Sequence, residues 1–295
     1  MLGAIIGDMA GSIYEFKHNL SKEFDIYNKR MRMTDDSLLT IAVAKTLMNN
    51  YPISYDTESV NKLQKELIHN FVNSWKINRG AGFGGMFYDW CVRVDRGEEA
   101  LPYNSYGNGS AMRISPVGWI ANSEEEVKTL SRIVTEVTHN HPEGIKGAEA
   151  VAMAIYLARN GYTKEEIRDR MIKEYYRDIE HFRRLDSVRN IFFDNETCQG
   201  TVPQAIYCFL ESTSLEDAIR NCIYLGGDCD TTAAMAGAIA EAFYQKDTIS
   251  DLEKRYMSFM IVPEVVKLIK NFHKMIGSKK FKRRRNIIKN KDLPL

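Results

Sequence analysis

Residues 226–240 read GGDCDTTAAMAGAIA, an acidic run that leads directly into a series of small apolar residues. Asp and Thr are favoured in the first turn of a helix, and Ala is the best residue for a helix interior. The pattern therefore predicts a helix over Thr231–Gln245. Because small side chains let neighbouring backbones come close, we expect it to be the central helix of a bundle.

Helical periodicity continues along the rest of the chain, and alternating β-branched runs are few. The predicted helices are Thr34–Asn50, Ser59–Trp75, Gly144–Asn160, Val202–Glu211, Ser214–Tyr224, Ile249–Met260 and Pro263–Ile276. Capping boxes are predicted at Ser123 with Glu126 and at Thr163 with Glu166, and segment 178–201 is expected to be a long loop. The predicted fold class is all-α, a single compact multi-helix domain with Trp75, Trp90 and Trp119 in its core or at an interface.

Charge divides the chain into two parts. Eight of its 40 basic residues lie within 279–291, which leaves 32 basic against 39 acidic residues elsewhere, a net charge of −7. We therefore expect a domain over residues 1–277 and a basic tail over residues 278–295. The tail is interpreted as a solvated end, with contact to a polyanion as the alternative.

Several protein classes are disfavoured by composition. The chain has 295 residues, 44% of them hydrophobic and 27% charged, which is typical of a globular protein. No apolar run approaches the ~18 residues of a membrane span. The five cysteines show neither a CxxC motif nor zinc-ligand spacing. Because the start also lacks the pattern of a signal peptide, we expect a cytoplasmic protein with free thiols.

Two acidic runs, Thr34-Asp35-Asp36 and Asp228-Cys229-Asp230-Thr231, each precede a helical stretch. Capping of the two helices is one interpretation. However, a cap needs one side chain, and adjacent carboxylates repel each other unless a positive group lies between them. Carboxylates and hydroxyls are the hard oxygen ligands of Mg²⁺ and Mn²⁺. If the runs meet in space, they could hold two such ions.

Glycine-rich stretches occupy residues 79–85 (RGAGFGG) and 106–110 (YGNGS). Glycine permits positive φ and a close approach of the backbone, as loops that bind phosphate require. Ordinary turn chemistry is the alternative for each. Neither a Walker A motif nor a GxGxxG between a strand and a helix is present.

Five segments in register resemble the ADP-ribosylglycohydrolase family, which includes the dinitrogenase reductase-activating glycohydrolase. They are residues 3–15 (GAIIGDMAGSIYE), 33–37 (MTDDS), 107–113 (GNGSAMR), 138–142 (THNHP) and 226–231 (GGDCDT). The resemblance runs from Gly3 to about Phe272. It implies an all-α fold with a dinuclear Mg²⁺ or Mn²⁺ centre in a cleft, Mg²⁺ being the first choice. It also implies hydrolysis of the bond between ADP-ribose and an acceptor.

The resemblance also assigns roles to residues. The implied metal ligands are Thr34, Asp35, Asp36, Asp228, Asp230 and Thr231. The implied catalytic residues are Glu15, Asp35 and Asp36, with Glu15 at the edge of the metal centre as a general acid or base. The implied substrate-binding residues are Gly80, Gly82, Gly84, Ser105, Tyr106, Gly107, Asn108 and His139. Cys229 lies between two ligands, where a free thiol could be sensitive to oxidation.

The expected partner is an ADP-ribosylated macromolecule or a smaller ADP-ribose conjugate, and the protein is expected to be a monomer that does not bind membranes. Other interpretations stay open. Glu15 could be an exposed helix residue, and His139 and His141 could serve to cap a helix. The chain could also be an ADP-ribose-binding protein without activity, or another metallohydrolase on the same fold. The sequence does not identify the acceptor, nor does it decide between Mg²⁺ and Mn²⁺.

Overall fold

The computed structural model describes residues 1–17, 21–182, 184–189, 195–244 and 251–277. Within these ranges the secondary structure is helical, and the only bridge of β type joins Gly107 to Thr197. The all-α prediction is confirmed.

The first eight α-helices are α1 (Leu2–Gly11), α2 (Asp35–Asn49), α3 (Thr57–Ile77), α4 (Gly85–Asp95), α5 (Gly109–Met112), α6 (Ser115–Ile120), α7 (Glu124–Thr135) and α8 (Pro142–Arg159). The others described are α9 (Lys164–Glu174), α10 (Leu185–Val188), α11 (Cys198–Leu210), α12 (Leu215–Leu225), α13 (Cys229–Tyr244), α14 (Asp251–Arg255) and α15 (Pro263–Gly277).

Helix α13 is the central helix, as its small residues predict. It begins at Cys229, and every residue from there to Ala242 is buried. It packs against α1, α8, α11 and α12. A helix surrounded in this way has no solvent-facing side, and its buried residues are small or apolar except Asp230, Thr231, Thr232 and Glu241.

Helices α1 and α13 touch backbone to backbone through glycines. A Cβ atom on Gly7 would lie 2.0 Å from the carbonyl oxygen of Ala233, and one on Gly3 would lie 2.2 Å from that of Gly237. A Cβ on Gly237 would in turn lie 2.3 Å from the oxygen of Gly3. No side chain fits between the two helices at these three glycines, which we call the glycine seam.

The start of α1 is tied to the other end of α13. The buried Glu241 accepts a hydrogen bond from the backbone N–H of Gly3 at 2.8 Å and from the amine of Met1 at 2.5 Å. A carboxylate at a helix N-terminus satisfies free N–H groups and interacts favourably with the helix dipole. Sequence periodicity did not predict α1, because a short helix buried on all sides lacks an amphipathic pattern.

Several predicted boundaries differ from the structure. Helix α11 begins at Cys198 rather than Val202, because the side chain of Thr197 caps it by accepting from the N–H of Gly200. Segment 178–201 is not one long loop, since it includes most of a 3₁₀ helix (Arg177–His181) and α10. In place of the helix predicted over Ile249–Met260, α14 is followed by a π-helix over Tyr256–Met260, and residues 249–250 lie outside the described residues.

The capping predictions have mixed outcomes. Thr163 and Glu166 form the complete capping box. Ser123 caps α7, but Glu126 accepts from the N–H of Asn122 instead of closing a box with Ser123. All three tryptophans are buried, as predicted for core residues.

Two further predictions concern the basic tail and the membrane. The basic tail over 278–295 lies outside the described residues. In the described part of the chain, no helix has both the length and the apolar character needed to cross a membrane.

The glycine seam predicts a large effect of a single methyl group. We expect Gly7→Ala to lower the free energy of unfolding by about 1–3 kcal/mol, the typical cost of overpacking, despite the higher helix propensity of Ala. Chemical denaturation followed by circular dichroism measures this. Gly85→Ala is the matched control, because a Cβ there meets no atom within 4 Å, and its effect should stay within about 0.5 kcal/mol. Equal stabilities of the two variants would contradict the tight contact.

Candidate metal centre

The two acidic runs come together in the folded chain. Carboxylate oxygens of Asp8, Asp36 and Asp230 all lie within 4.8 Å of one another, and so do those of Glu15, Asp228 and Asp230. Asp230 belongs to both groups, which we call the two carboxylate triads. Oxygen donors from both runs therefore lie close enough together to hold a cation.

Capping of α2 is carried out by a residue outside the acidic run. The carboxylate of Asp8, in α1, accepts hydrogen bonds from the N–H groups of Thr34 and Ser37 at 2.9 and 3.1 Å. It also accepts from the hydroxyls of Thr34, at 2.6 Å, and Ser37. Thr34 is the N-cap residue by position, but its side chain makes no capping bond. The capping interpretation of the first run is therefore wrong, and Asp35 and Asp36 do not satisfy the start of the helix.

Hydroxyl and amide groups contact the carboxylates of both runs. Asp36 Oδ2 lies 3.3 Å from the hydroxyl of Thr34 and 3.4 Å from that of Thr231, while Asn108 Nδ2 donates to Asp228 Oδ2 at 2.5 Å. The other oxygen of Asp36, Oδ1, is buried and has no hydrogen-bond partner in the described part of the chain. A buried anionic oxygen without a donor is costly, and a cation would satisfy it.

Burial raises the pKa of every carboxyl in the cluster, and repulsion between carboxylates adds to this effect at several of them. Desolvation, followed by the charge of Asp8, raises the pKa of Asp35 to about 8. Desolvation and neighbouring carboxylates raise the pKa values of Asp36 and Asp230 well above the ordinary value. The pKa of Glu15 is raised by the same two causes, with Asp228 as the strongest neighbour. A divalent cation would relieve this repulsion, so the donor set fits a hard metal ion.

Glu15 lies in a turn after α1 and is exposed, so the interpretation as a helix residue is wrong. The turn is anchored where the N–H of Phe16 donates to the carbonyl of Gly227 at 2.8 Å. Gly227 precedes the second acidic run and has a positive φ of 66°. The turn that carries Glu15 is thus fixed directly to the turn that carries Asp228.

A cavity of about 320 Å³ opens next to the cluster. Its lining includes all six predicted metal ligands and Glu15. Six of the eight predicted substrate-binding residues also line it, namely Gly82, Gly84, Ser105, Gly107, Asn108 and His139. Gly80 and Tyr106 are not part of this lining. Tyr106 is exposed and its ring lies 5.2 Å from that of His141, whose Nδ1 accepts from the N–H of Glu143 and caps α8.

The first glycine-rich stretch passes over Asp35. The N–H of Asp35 donates to the carbonyl of Ala81 at 3.0 Å. Gly82 has a φ of +98°, and a Cβ there would lie 3.3 Å from Asp35 Oδ1. Gly84 then caps α4 by position, so the N-terminus of α4 lies at the cavity, where its free N–H groups favour an anion.

Sequence reasoning missed several residues of the site. Asp8 lies within one of the segments that resemble the family but received no role, although an acidic residue inside an apolar stretch is itself a signal. Glu196 lines the cavity and has no recognisable motif. Arg113 and Tyr103 also line it; Arg113 ends the segment 107–113 that resembles the family but received no role, and Tyr103 lies in none of the five segments.

The expectation that Cys229 is sensitive to oxidation is not supported. Its side chain is buried, and burial together with the charge of Asp230 raises the pKa of the thiol well above the ordinary value. The thiol is therefore protonated at neutral pH, and a protonated, inaccessible thiol reacts slowly. The five cysteines are all buried and free.

Comparisons with known proteins agree with this geometry. The sequence is 26% identical over 321 residues to ADP-ribosylhydrolase ARH3 of Homo sapiens, covering 85% of this chain and 86% of the relative. It is 24% identical over 264 residues to ADP-ribosylarginine hydrolase Tri1 of Pseudomonas putida, covering 83% and 69%. A solved structure titled ADP-ribosylglycohydrolase-related protein complex superposes with a TM-score of 0.63 at 19% identity, covering 93% of this chain and 97% of that one, and so shares the fold.

The family match spans almost the whole described structure. Residues 1–270 match the model of the ADP-ribosylglycohydrolase family. This range contains both carboxylate triads, both glycine-rich stretches and the lining of the cavity. With its sequence, fold and acidic cluster in agreement, the chain belongs to the ADP-ribosylglycohydrolase family.

Proposed function

We propose that this protein is a metal-dependent hydrolase that cleaves the glycosidic bond between ADP-ribose and a modified acceptor, releasing ADP-ribose. The observation that carries the proposal is the pair of carboxylate triads sharing Asp230 at the wall of a cavity. Family membership supports the reaction class. A protein that only binds ADP-ribose would not need this concentration of buried, mutually repelling carboxylates.

The metal site proposed here uses oxygen donors from both runs. The proposed ligands are Thr34, Asp35, Asp36, Asp228, Asp230 and Thr231, and the proposed cofactors are two divalent cations, Mg²⁺ first and Mn²⁺ second. Such ions, when bound, lower the pKa of a water molecule and bind substrate oxygens. Asp8 is already engaged by four donors, so we assign it to holding Thr34 and α2 in place.

The remaining groups bind the substrate and move a proton. We propose that the N-terminus of α4, with Gly82 and Gly84, binds the diphosphate, since helix N-termini favour anions. Ser105, Gly107, Asn108 and His139 line the next part of the cavity and are assigned to the nucleoside part. Gly80 and Tyr106 are outside the lining, so we assign Gly80 to the shape of the loop and Tyr106 to the rim. Glu15 would exchange a proton with the water or the leaving group.

The acceptor stays open within this proposal. One relative is an ADP-ribosylarginine hydrolase by name, and another is an ADP-ribosylhydrolase. We further propose that residues 1–277 are sufficient for catalysis and that the basic tail over 278–295 serves only contacts with polyanionic partners. A cytoplasmic location and a monomeric state stay predictions.

The central experiment measures ADP-ribose release from a panel of arginine-linked, serine-linked and nucleic-acid conjugates with Mg²⁺, Mn²⁺ or EDTA. We expect release from at least one conjugate with metal and none with EDTA. Asp230→Asn should lower the rate by about 10²-fold or more, because it removes the ligand shared by both triads. Asp169→Asn, an exposed residue on α9, is the matched control and should keep the wild-type rate. Release in EDTA, or by Asp230→Asn at the wild-type rate, would contradict the proposal.

Glu15→Gln tests proton transfer separately from binding. The change keeps the size of the side chain and removes the ionisable group. We expect kcat to fall by about 10²–10⁴-fold, with the Kd for ADP-ribose little changed. Glu196→Gln, at the same cavity but in neither triad, should have a much smaller effect on kcat. A parallel loss of metal binding in Glu15→Gln would make Glu15 a ligand instead.

The raised carboxyl pKa values predict how stability depends on pH in metal-free protein. The pKa of Asp35 is about 8 in the folded chain against an ordinary value of 3.8. Between these values the folded chain binds a proton that the unfolded chain releases, so stability falls as pH rises. We expect the Tm of EDTA-treated protein to decrease from pH 5 to pH 8, and Mg²⁺ to raise it more at pH 8 than at pH 5.

Asp35→Asn is the control for this linkage, because an amide has no proton to gain or lose over this range. Its metal-free Tm should depend less on pH than that of the wild type. Thermal denaturation at several pH values measures both slopes. A metal-free wild-type protein that becomes more stable toward pH 8 would show that the carboxyl pKa values are not raised.

A further inference from the structure

Arg113 is a buried cation that packs against aromatic rings. The side chain is 1% exposed, and its guanidinium lies 4.4 Å from the ring centre of Phe71 and 5.9 Å from that of Phe87. No carboxylate forms an ion pair with it in the described part of the chain, and its Nε and Nη1 atoms have no hydrogen-bond partner there. Its one side-chain hydrogen bond within those residues runs from Nη2 to Thr138 Oγ1, at 2.5 Å.

This hydrogen bond constrains the other contacts of the Thr138 hydroxyl. A guanidinium can only donate, so Thr138 Oγ1 is the acceptor from Arg113, and the hydroxyl proton of Thr138 remains free for another partner. His139 Nδ1 lies 2.8 Å from Oγ1, whereas the carbonyl of Thr135 lies 3.5 Å away. The hydroxyl of Tyr103 is a further possible acceptor, because a hydrogen bond with Thr138 partly offsets the rise that burial causes in the pKa of Tyr103. The contact with His139 is shorter than that with Thr135, which favours donation from Thr138 to His139 Nδ1.

The neutral form of His139 follows from its surroundings. Burial, and then the charge of Arg113, lower the pKa of His139 well below the ordinary value. A neutral imidazole carries one N–H and one lone pair. Because Nδ1 accepts from Thr138, the proton must be on Nε2.

The Nε2 atom of His139 faces the cavity beside two glycines. It would lie 3.4 Å from a Cβ on Gly109 and 3.9 Å from one on Gly107. His139 and both glycines line the cavity, and the absence of side chains at 107 and 109 leaves the edge of the imidazole accessible to a ligand.

We propose that Arg113 and Thr138 are positioning residues that hold His139 in the Nε2–H tautomer, so that His139 donates a hydrogen bond to an acceptor atom of the ligand. The relay runs from Arg113 through Thr138 to His139, with each residue donating to the next. The identity of the ligand as ADP-ribose, whose oxygens and ring nitrogens are acceptors, rests on the proposed function. The assignment of the His139 tautomer does not rest on the proposed function.

The tautomer is measured directly by NMR on the full chain labelled with ¹⁵N in its histidines and loaded with Mg²⁺, without ADP-ribose. The chain has six histidines, and the signal missing from His139→Gln identifies His139. We expect wild-type protein and Thr138→Ser to show His139 as Nε2–H. Thr138→Val, which keeps the shape and removes the hydroxyl, should lose this fixed pattern. An Nδ1–H tautomer or a charged imidazole in the wild type would overturn the proposal.

Isothermal titration calorimetry with ADP-ribose tests whether loss of the fixed His139 tautomer weakens ligand binding. We expect Thr138→Val to weaken binding by about tenfold, within the range for a buried polar group that loses its partner, and Thr138→Ser to stay near wild type. His139→Gln places an amide N–H near the position of Nε2 without needing Thr138, so Thr138→Val should have no further effect in that background.

The binding and NMR results distinguish failure of the relay from failure of the proposed function. Mg²⁺ binding and the Tm are measured on the same variants, to show that each one is folded and loaded. A purely structural role of Thr138 would make Thr138→Val weaken binding by the same factor in the wild-type and His139→Gln backgrounds. Such additive effects would therefore overturn the relay. If the wild type binds no ADP-ribose at all, the proposed function fails, while the NMR tautomer still decides for or against the relay.

Discussion

The contact between α1 and α13 is the constraint on which the site depends. Gly3, Gly7 and Gly237 remove the layer of side chains that normally separates two helices, so the backbones meet directly. Asp8 on α1 is thereby brought beside Asp230 on α13. Asp8 in turn holds the start of α2, which carries Asp36. The distances within the carboxylate triads therefore follow from helix packing and not from flexible loops.

The carboxylates of the acidic cluster repel one another when folding brings them together. Asp36 and Asp230 are buried and Asp35 is partly buried, and desolvation together with neighbouring carboxylates raises the pKa of all three. Such an arrangement persists only where the surrounding structure fixes it. Here the buried helix α13 and the Asp8 cap of α2 fix the arrangement. Packing in the core therefore offsets the unfavourable free energy of crowding the carboxylates. The same rigidity keeps the oxygen donors close together before any cation arrives.

Local sequence patterns predicted those parts of the structure that depend on a few neighbouring residues. The small residues after Thr231 predicted the central helix, and the two acidic runs predicted a common site. Helix α1 was missed because complete burial removes the periodicity that marks a helix. The roles of Asp8 and Arg113 were missed because each depends on partners far along the chain. Thr138 and His139 are adjacent in sequence, but the direction of their hydrogen bond depends on Arg113, 25 positions earlier.

The glycine seam also limits how this protein can diverge. A side-chain layer between helices tolerates exchange of one residue for another of similar volume, so its sequence can drift by compensating steps. Backbone contact offers no such intermediate steps, because any Cβ at Gly7 or Gly237 meets a carbonyl oxygen of the facing helix. Larger residues can enter only if the two helices move apart, which would separate Asp8 from Asp230. We therefore expect substitutions that change acceptor specificity to occur in the loops at the rim of the cavity and not in this seam.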